Sequence, residues 1–299
     1  MTTLCLGEAL VDLVCERPVD GIADADAFVP HFGGATANVA VTAARHGASA
    51  ALAGGAGDDA WGAWLRDRLE REGVELRWFA LQDGAQTPVA FVTVDRDAEP
   101  HFQIYGAGLS SVVAALADRI DDAVDSCDAL FFASNTLVGE PERAVTLAAR
   151  TRALDRDIPV VFDPNVRVGR WPTASRAAEE SLACVPGAFL VKCNRTEARL
   201  MTGETDPAAA AASLLAKGAR HVVVTLGADG ALLRGGGMSL DVPGVPASPL
   251  NTTGAGDTFA GVLLARLAAT GWYASALGAG LREAVAEAAK ATERWGAVV

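Results

Sequence analysis

Asn251, Thr252, Thr253, Gly254, Ala255, Gly256 and Asp257 run consecutively ahead of Thr258 and Phe259, and that order of residue types suits chemistry on a phosphate. Thr252 or Thr253 can cap a helix, and glycines at 254 and 256 let an anion approach N–H groups at the positive end of the helix dipole. Asp257 then stands where a carboxylate can take a proton from an attacking hydroxyl while those N–H groups hold phosphoryl oxygens. The same residues also read as a capped helix start with an acidic first turn, and spacing alone leaves both readings open. No GxxxxGK[ST] occurs, so a Walker-type loop is excluded as the nucleotide site.

Other polar residues interrupt apolar runs in the same suggestive way. Asp12 lies inside Leu10–Val11–Asp12–Leu13–Val14; on a strand it faces opposite its neighbours, toward solvent or toward a polyol whose hydroxyls it accepts. Asp163, Asn165 and Arg167 follow the apolar run 160–162. Either Asn165 and Arg167 meet phosphate or sugar, or Asp163 caps a turn around Pro164 and Arg167 pairs with a carboxylate. Asn194 and Glu197, three apart after another apolar run, form a capping-box pattern. Asn38 either braces local backbone or binds a ligand with its donor and acceptor.

The elements that must position these residues alternate strand, glycine turn and helix, which indicates a doubly wound α/β architecture with ligands at the carboxyl edge of the sheet. A helix is expected from about 36 to Gly47, a short strand at 52–53, a turn over 54–59, and a helix through Leu69. Strands at 89–94 and 101–105 flank a polar turn and read as a hairpin, which either joins segments near Leu13 and Phe28 in a small β lid or stands as an ordinary edge hairpin. Trp61 and Trp64 share a helical face and suit packing.

With 299 residues and 51% hydrophobic residues, the chain can bury one large core. Its net charge of −12 argues against a nucleic-acid surface. It lacks an apolar run of membrane length or an export signal, and its five scattered cysteines suit reduced thiols, so a cytoplasmic protein is expected. The four histidines are too scattered to suggest a metal cluster.

TTGAGD at 252–257, GGATANVA at 33–40 and DPNVRVGRW at 163–171 occur in the order found in ribokinase-like (PfkB) sugar kinases, and the chain resembles that family over nearly its whole length. Its motifs are nearest to those of fructokinases and 2-keto-3-deoxygluconate kinases. The resemblance implies a single kinase domain over 1–299, a ribokinase-like α/β/α sandwich whose β lid spans about 10–32 and 87–106. A homodimer through that lid is a further expectation. It implies Asp257 as general base, with Gly254, Ala255 and Gly256 as the anion hole, and a sugar wall of Asp12, Gly33, Gly34, Asn38, Asn165 and Arg167. On the nucleotide side it implies Asn194, Thr225, Gly227 and Gly230 near ATP, and Glu197 organising Mg²⁺, through water if not directly.

Two departures from the family pattern bear on ions and substrate. Asn251 replaces the acid common at the first position of the signature, which puts a monovalent cation in doubt. Gly106–Ala107–Gly108 follow Tyr105 where many relatives carry an arginine, which weakens recognition of a carboxylated sugar. The expected activity is phosphorylation of a primary hydroxyl, with fructose first, 2-keto-3-deoxygluconate second, and ribose or a nucleoside as further alternatives. A metabolite-binding regulatory protein on the same fold is the non-enzymatic alternative, against which the retained Asp257 and glycines argue.

Overall fold

Strand runs such as Leu4–Cys5–Leu6 and Val222–Val223–Val224 send successive side chains to opposite faces and therefore need cover on both. A computed structural model describes residues 1–106 and 112–298. Its strands are β1 (Thr2–Leu6), β2 (Leu10–Pro18), β3 (Val29–Gly33), β4 (Ser49–Gly57), β5 (Phe79–Gln82), β6 (Val89–Val94), β7 (Pro100–Tyr105), β8 (Ala129–Ala133), β9 (Val160–Asp163), β10 (Leu190–Asn194), β11 (His221–Thr225), β12 (Gly230–Gly235) and β13 (Met238–Pro243). The helices are α1 (Ala35–Arg45), α2 (Ala60–Arg71), α3 (Ile120–Asp125), α4 (Glu140–Asp155), α5 (Ala174–Ala183), α6 (Arg195–Thr202), α7 (Pro207–Ala216), α8 (Ala255–Ala269) and α9 (Leu277–Ala291).

Nine strands form the main sheet in the order β13-β12-β11-β10-β9-β8-β1-β4-β5. The strands from β11 through β5 are parallel, and β12 and β13 close the other edge antiparallel. Cys5, Phe131, Val161 and Val223 point to one face, where they meet Val39, Leu65, Phe259 and Leu281 of α1, α2, α8 and α9. Leu4, Leu6, Phe132 and Phe162 point to the other and pack with Val145, Ala177, Ala198 and Leu214 of α4 to α7. Each fully buried Leu or Phe contributes about 1.5–3 kcal/mol relative to exposure, so this two-sided burial is the main source of stability.

The strand expected at 52–53 is longer, and the glycines beside it lie within β4 instead of forming a turn. Their role is close approach: a Cβ on Gly54 would come within 2.1 Å of the Gly7 carbonyl oxygen, and one on Gly55 within 2.2 Å of that of Ala80. The turn comes later, and Asp59 caps α2 by accepting from the Gly62 N–H at 2.8 Å. Trp61 and Trp64 do pack edge to face, 5.8 Å between ring centroids.

A second sheet, ordered β3-β2-β6-β7, covers the carboxyl edge of the first around a small core of Leu10, Val14, Ala90 and Val92. Its β6–β7 turn reaches the glycine-rich segment ahead of α8, where the Thr252 N–H donates to the Ala98 carbonyl at 3.0 Å. Among the described residues all five cysteines are free and buried, and no helix is long and apolar enough to cross a membrane.

Candidate active site

The parallel strands β1, β8, β9 and β10 all end at one edge, and the residues after them line a cleft beneath the lid together with the head of α8. Neither threonine caps that helix. The Asn251 side-chain oxygen accepts from the Thr253 N–H at 2.8 Å, and Gly254 becomes the N-cap with φ of 76° and no side-chain cap. That left-handed conformation and a neighbouring Ala297 Cα 2.5 Å from a would-be Cβ both require glycine. Gly254 and Gly256 line the cleft, whereas the Ala255 N–H is turned to the Thr252 carbonyl at 3.3 Å.

Asp257, in the first turn of α8, is buried and held from both sides. Its Oδ2 accepts from Asn38 Nδ2 at 2.9 Å and its Oδ1 from Asn165 Nδ2 at 3.2 Å. Asn38 sits on α1, which begins where Gly34 takes φ of 92° against the Glu8 carbonyl. Asn165 adopts a left-handed φ of 39° after Pro164, and its N–H donates to Asp163 Oδ1 at 3.2 Å. Such a conformation in a non-glycine residue is uncommon, and here it swings the amide onto Asp257. Burial pushes the Asp257 carboxyl up to about 6, against the Asn38 hydrogen bond and the Lys192 charge.

Asp12 is 3% exposed, so the solvent-facing alternative is overturned. It shares the cleft with Asp257, and burial plus that second carboxylate raise it well above the usual range while Arg167 pulls the other way. Gly33 leaves the space its side chain fills: a Cβ there would meet the Asp12 carboxyl carbon at 2.6 Å. Arg167 also lines the cleft, with its guanidinium 5.8 Å from the Phe102 ring centre, and no carboxylate pairs with it among the described residues.

Asn194 and Glu197 form the expected capping box at the head of α6. Glu197 Oε2 accepts from the Asn194 N–H at 2.8 Å and Oε1 from the Val166 N–H at 2.9 Å, tying the loop after β9 to the loop after β10. Burial and Asp163 raise its pKa. Both residues line the cleft. Thr225, Gly227 and Gly230 lie outside that lining: Thr225 ends neighbouring β11 in register with Asn194, Gly227 is in the turn that follows, and Gly230 opens β12, where a Cβ would strike the Val242 carbonyl at 2.1 Å.

Sequence reasoning missed two groups in the same cleft. Lys192 is buried and its Nζ lies 2.7 Å from Asp163 Oδ2. A lysine inside the apolar run 189–193 was the available signal, since a buried ammonium requires a partner. Glu8 accepts from Asn135 Nδ2 at 2.9 Å, and Asn135 Oδ1 accepts from Arg170 at 3.1 Å. The Ala107 and Gly108 positions of the Tyr105 departure lie outside the described residues.

The profile described as pfkB family carbohydrate kinase matches residues 2–293. The chain belongs to the pfkB family of carbohydrate kinases. It is 31% identical over 262 residues to fructokinase-2 of Solanum lycopersicum, covering 87% of this chain and 80% of that protein. A double-mutant fructokinase of Vibrio cholerae O395, solved with fructose, ADP and a potassium ion, superposes with a TM-score of 0.85 at 28% identity, covering 100% of this chain and 94% of that one. The aminoimidazole riboside kinase of Salmonella enterica, complexed with aminoimidazole riboside and an ATP analogue, superposes at 0.83 with 26% identity and coverage of 100% and 96%. This pfkB-family protein is thus an ATP-dependent sugar kinase with a ribokinase-like fold.

The donor sets test which ions suit this kinase. Among the described residues no three His, Cys, Asp or Glu side chains form a metal cluster. Both Glu197 oxygens already carry backbone N–H groups, so the cleft suits a divalent ion held chiefly by phosphates and water. A monovalent cation fits poorly at Asn251, whose oxygen is committed to Thr253 and whose buried NH₂ group has no acceptor.

Proposed function

We propose that this pfkB-family kinase transfers the γ-phosphoryl group of ATP to a primary hydroxyl of fructose, with Asp257 as general base. The observation that carries the reading is the Asp257 carboxylate, clamped by Asn38 and Asn165 and facing the cleft it shares with Asp12. The amides fix its orientation, and a pKa of about 6 leaves it roughly nine-tenths ionised at pH 7 while basic enough to accept a hydroxyl proton. The hydroxyl oxygen bonds to the γ-phosphorus as the bond to the ADP oxygen breaks, and Asp257 takes the proton. Gly254 and Gly256 supply N–H groups to the phosphoryl oxygens, with Ala255 contributing less. Mg²⁺ would offset the charge of the phosphates, and Glu197 would help to hold it through water.

Asp12, Gly33, Gly34, Asn38 and Asn165 form the sugar wall in this reading, and Asn194, Thr225, Gly227 and Gly230 form the nucleotide side. Fructose comes first because the relatives matched along most of the chain are fructokinases. The second reading, 2-keto-3-deoxygluconate, is favoured by Arg167, a cation in the cleft with no paired carboxylate among the described residues. Steady-state kinetics over fructose, ribose, 2-keto-3-deoxygluconate and a riboside, with product identification, test the reading. A higher kcat/KM for any competitor overturns fructose.

The lid exposes Val29 at 39%, Ile104 at 40% and Tyr105 at 57%, apolar area that a second copy would cover in a lid-to-lid homodimer. Light scattering after gel filtration checks it, and a monomeric mass at assay concentration rules it out. Five free buried cysteines suit the reducing cytoplasm.

A further inference from the structure

Lys192 is one of the most thoroughly buried charges in the molecule, at 5% exposure in the middle of β10. Its ammonium has three N–H donors. Among the described residues one partner takes one of them, Asp163 Oδ2 at 2.7 Å. The position of the group shows what the others face. Nζ lies 3.1 Å from where a Cβ on Gly256 would be, so the cation rests against the first turn of α8, one residue before Asp257. Lys192 and Gly256 both line the cleft. A buried ammonium with donors left over is costly unless an anion completes its shell. Burial works against its charge, but Asp163, Glu197 and Asp257 together outweigh burial and keep it protonated.

We propose that Lys192 is a catalytic residue whose ammonium donates to a non-bridging oxygen of the phosphoryl group in transfer, with Asp163 as the residue that holds it in position. The proposal rests on the Asp257 reading above. As the hydroxyl oxygen bonds to phosphorus and the electron pair of the broken bond leaves with ADP, the hydroxyl proton goes to Asp257 and Lys192 keeps all of its own. Its contribution is fixed positive charge in a site of low polarity, where charge on the phosphoryl oxygens is met without reorganisation. The backbone N–H groups of α8 approach from one side and Lys192 from the next strand.

The test uses the sugar that the wild-type protein phosphorylates fastest, so a sugar other than fructose overturns the substrate reading and leaves this test intact. Lys192→Met is paired with the double variant Lys192→Met/Asp163→Asn, which avoids an unpaired buried carboxylate, and with Lys192→Arg. The measurements are kcat, the sugar KM, and the affinities for ADP alone and for ADP with aluminium fluoride, a planar mimic of the transferring group. The expected result is a kcat lower by about 10²–10³-fold in both Met variants with sugar KM within a few-fold, and partial recovery in Lys192→Arg. Affinity for the aluminium fluoride complex falls by at least about tenfold while that for ADP alone holds. Wild-type kcat in the folded double variant, or equal losses for ADP and the mimic, overturns the proposal.

Discussion

Asn38 on α1 donates its amide to Asp257 on α8 at 2.9 Å, across 219 residues of chain. With Asn165 on the other oxygen at 3.2 Å, the contact turns a buried carboxylate into an oriented one. Removing either amide would leave Asp257 freer to rotate and more expensive to ionise, because a buried charge depends on the donors around it.

Asp257→Asn is expected to lower kcat by roughly 10²–10⁴-fold with little change in ATP affinity. Because burial raises the carboxyl to about 6, kcat/KM of the wild type should fall as pH drops through that value. Stability runs the other way. A folded-state pKa above the unfolded value near 3.8 gives stability that is fully present below about 4 and lost as pH rises toward 6. The Asn variant should therefore gain in relative thermal stability across that window, by up to about 3 kcal/mol before the lost acceptor offsets part of it. Rate profiles and melting curves from pH 4 to 8 check both signs; turnover near wild type removes the base assignment.

Asp12→Ala should damage sugar use far more than nucleotide use. Two charge-assisted hydrogen bonds to hydroxyls, at about 1.5–3 kcal/mol each, are at stake. Sugar kcat/KM should drop by two or more orders of magnitude on that basis, with the ATP KM nearly constant. Equal effects on both substrates would move Asp12 out of the sugar wall.

Glu197→Gln keeps one oxygen for the two backbone N–H groups that the carboxylate now serves, from Val166 and Asn194. A stability loss of about 1 kcal/mol is expected from that alone. If Glu197 also orders water around Mg²⁺, the free Mg²⁺ needed for half-maximal rate should rise several-fold. An unchanged Mg²⁺ curve beside the stability loss would make Glu197 a capping and loop-tying residue only.

Asn251 should leave the rate nearly indifferent to K⁺. Its oxygen is bound to the Thr253 N–H and its NH₂ group is buried without an acceptor, so the site presents donors where a cation needs acceptors and charge. Initial rates in KCl and in tetramethylammonium chloride at matched ionic strength should agree within about twofold, and Asn251→Asp should widen the gap. Strong saturable activation of the wild type by K⁺ would contradict this.

What was readable from the chain alone depended on neighbours in sequence. The Asn194–Glu197 capping box closes over three residues, the Trp61–Trp64 contact over one helical turn, and the alternation in Leu4–Cys5–Leu6 over a single strand; each is local geometry that residue order determines. The glycine–aspartate signature likewise marked the head of α8, although the cap went to Gly254 because Asn251 turns the preceding chain. The tertiary structure decided everything that joins distant strands at one sheet edge. Gly54 and Gly55 became strand because β5 pairs with them, and Asp12 became buried because the lid strand that carries it lies against the sheet edge beside α8. Lys192 found Asp163 only because β9 and β10 lie side by side, and Asp257 gained its two amides only when α1 and the turn after β9 reached α8. Burial and charge at those positions are sums over residues far apart in the chain, so no stretch of sequence carries them by itself.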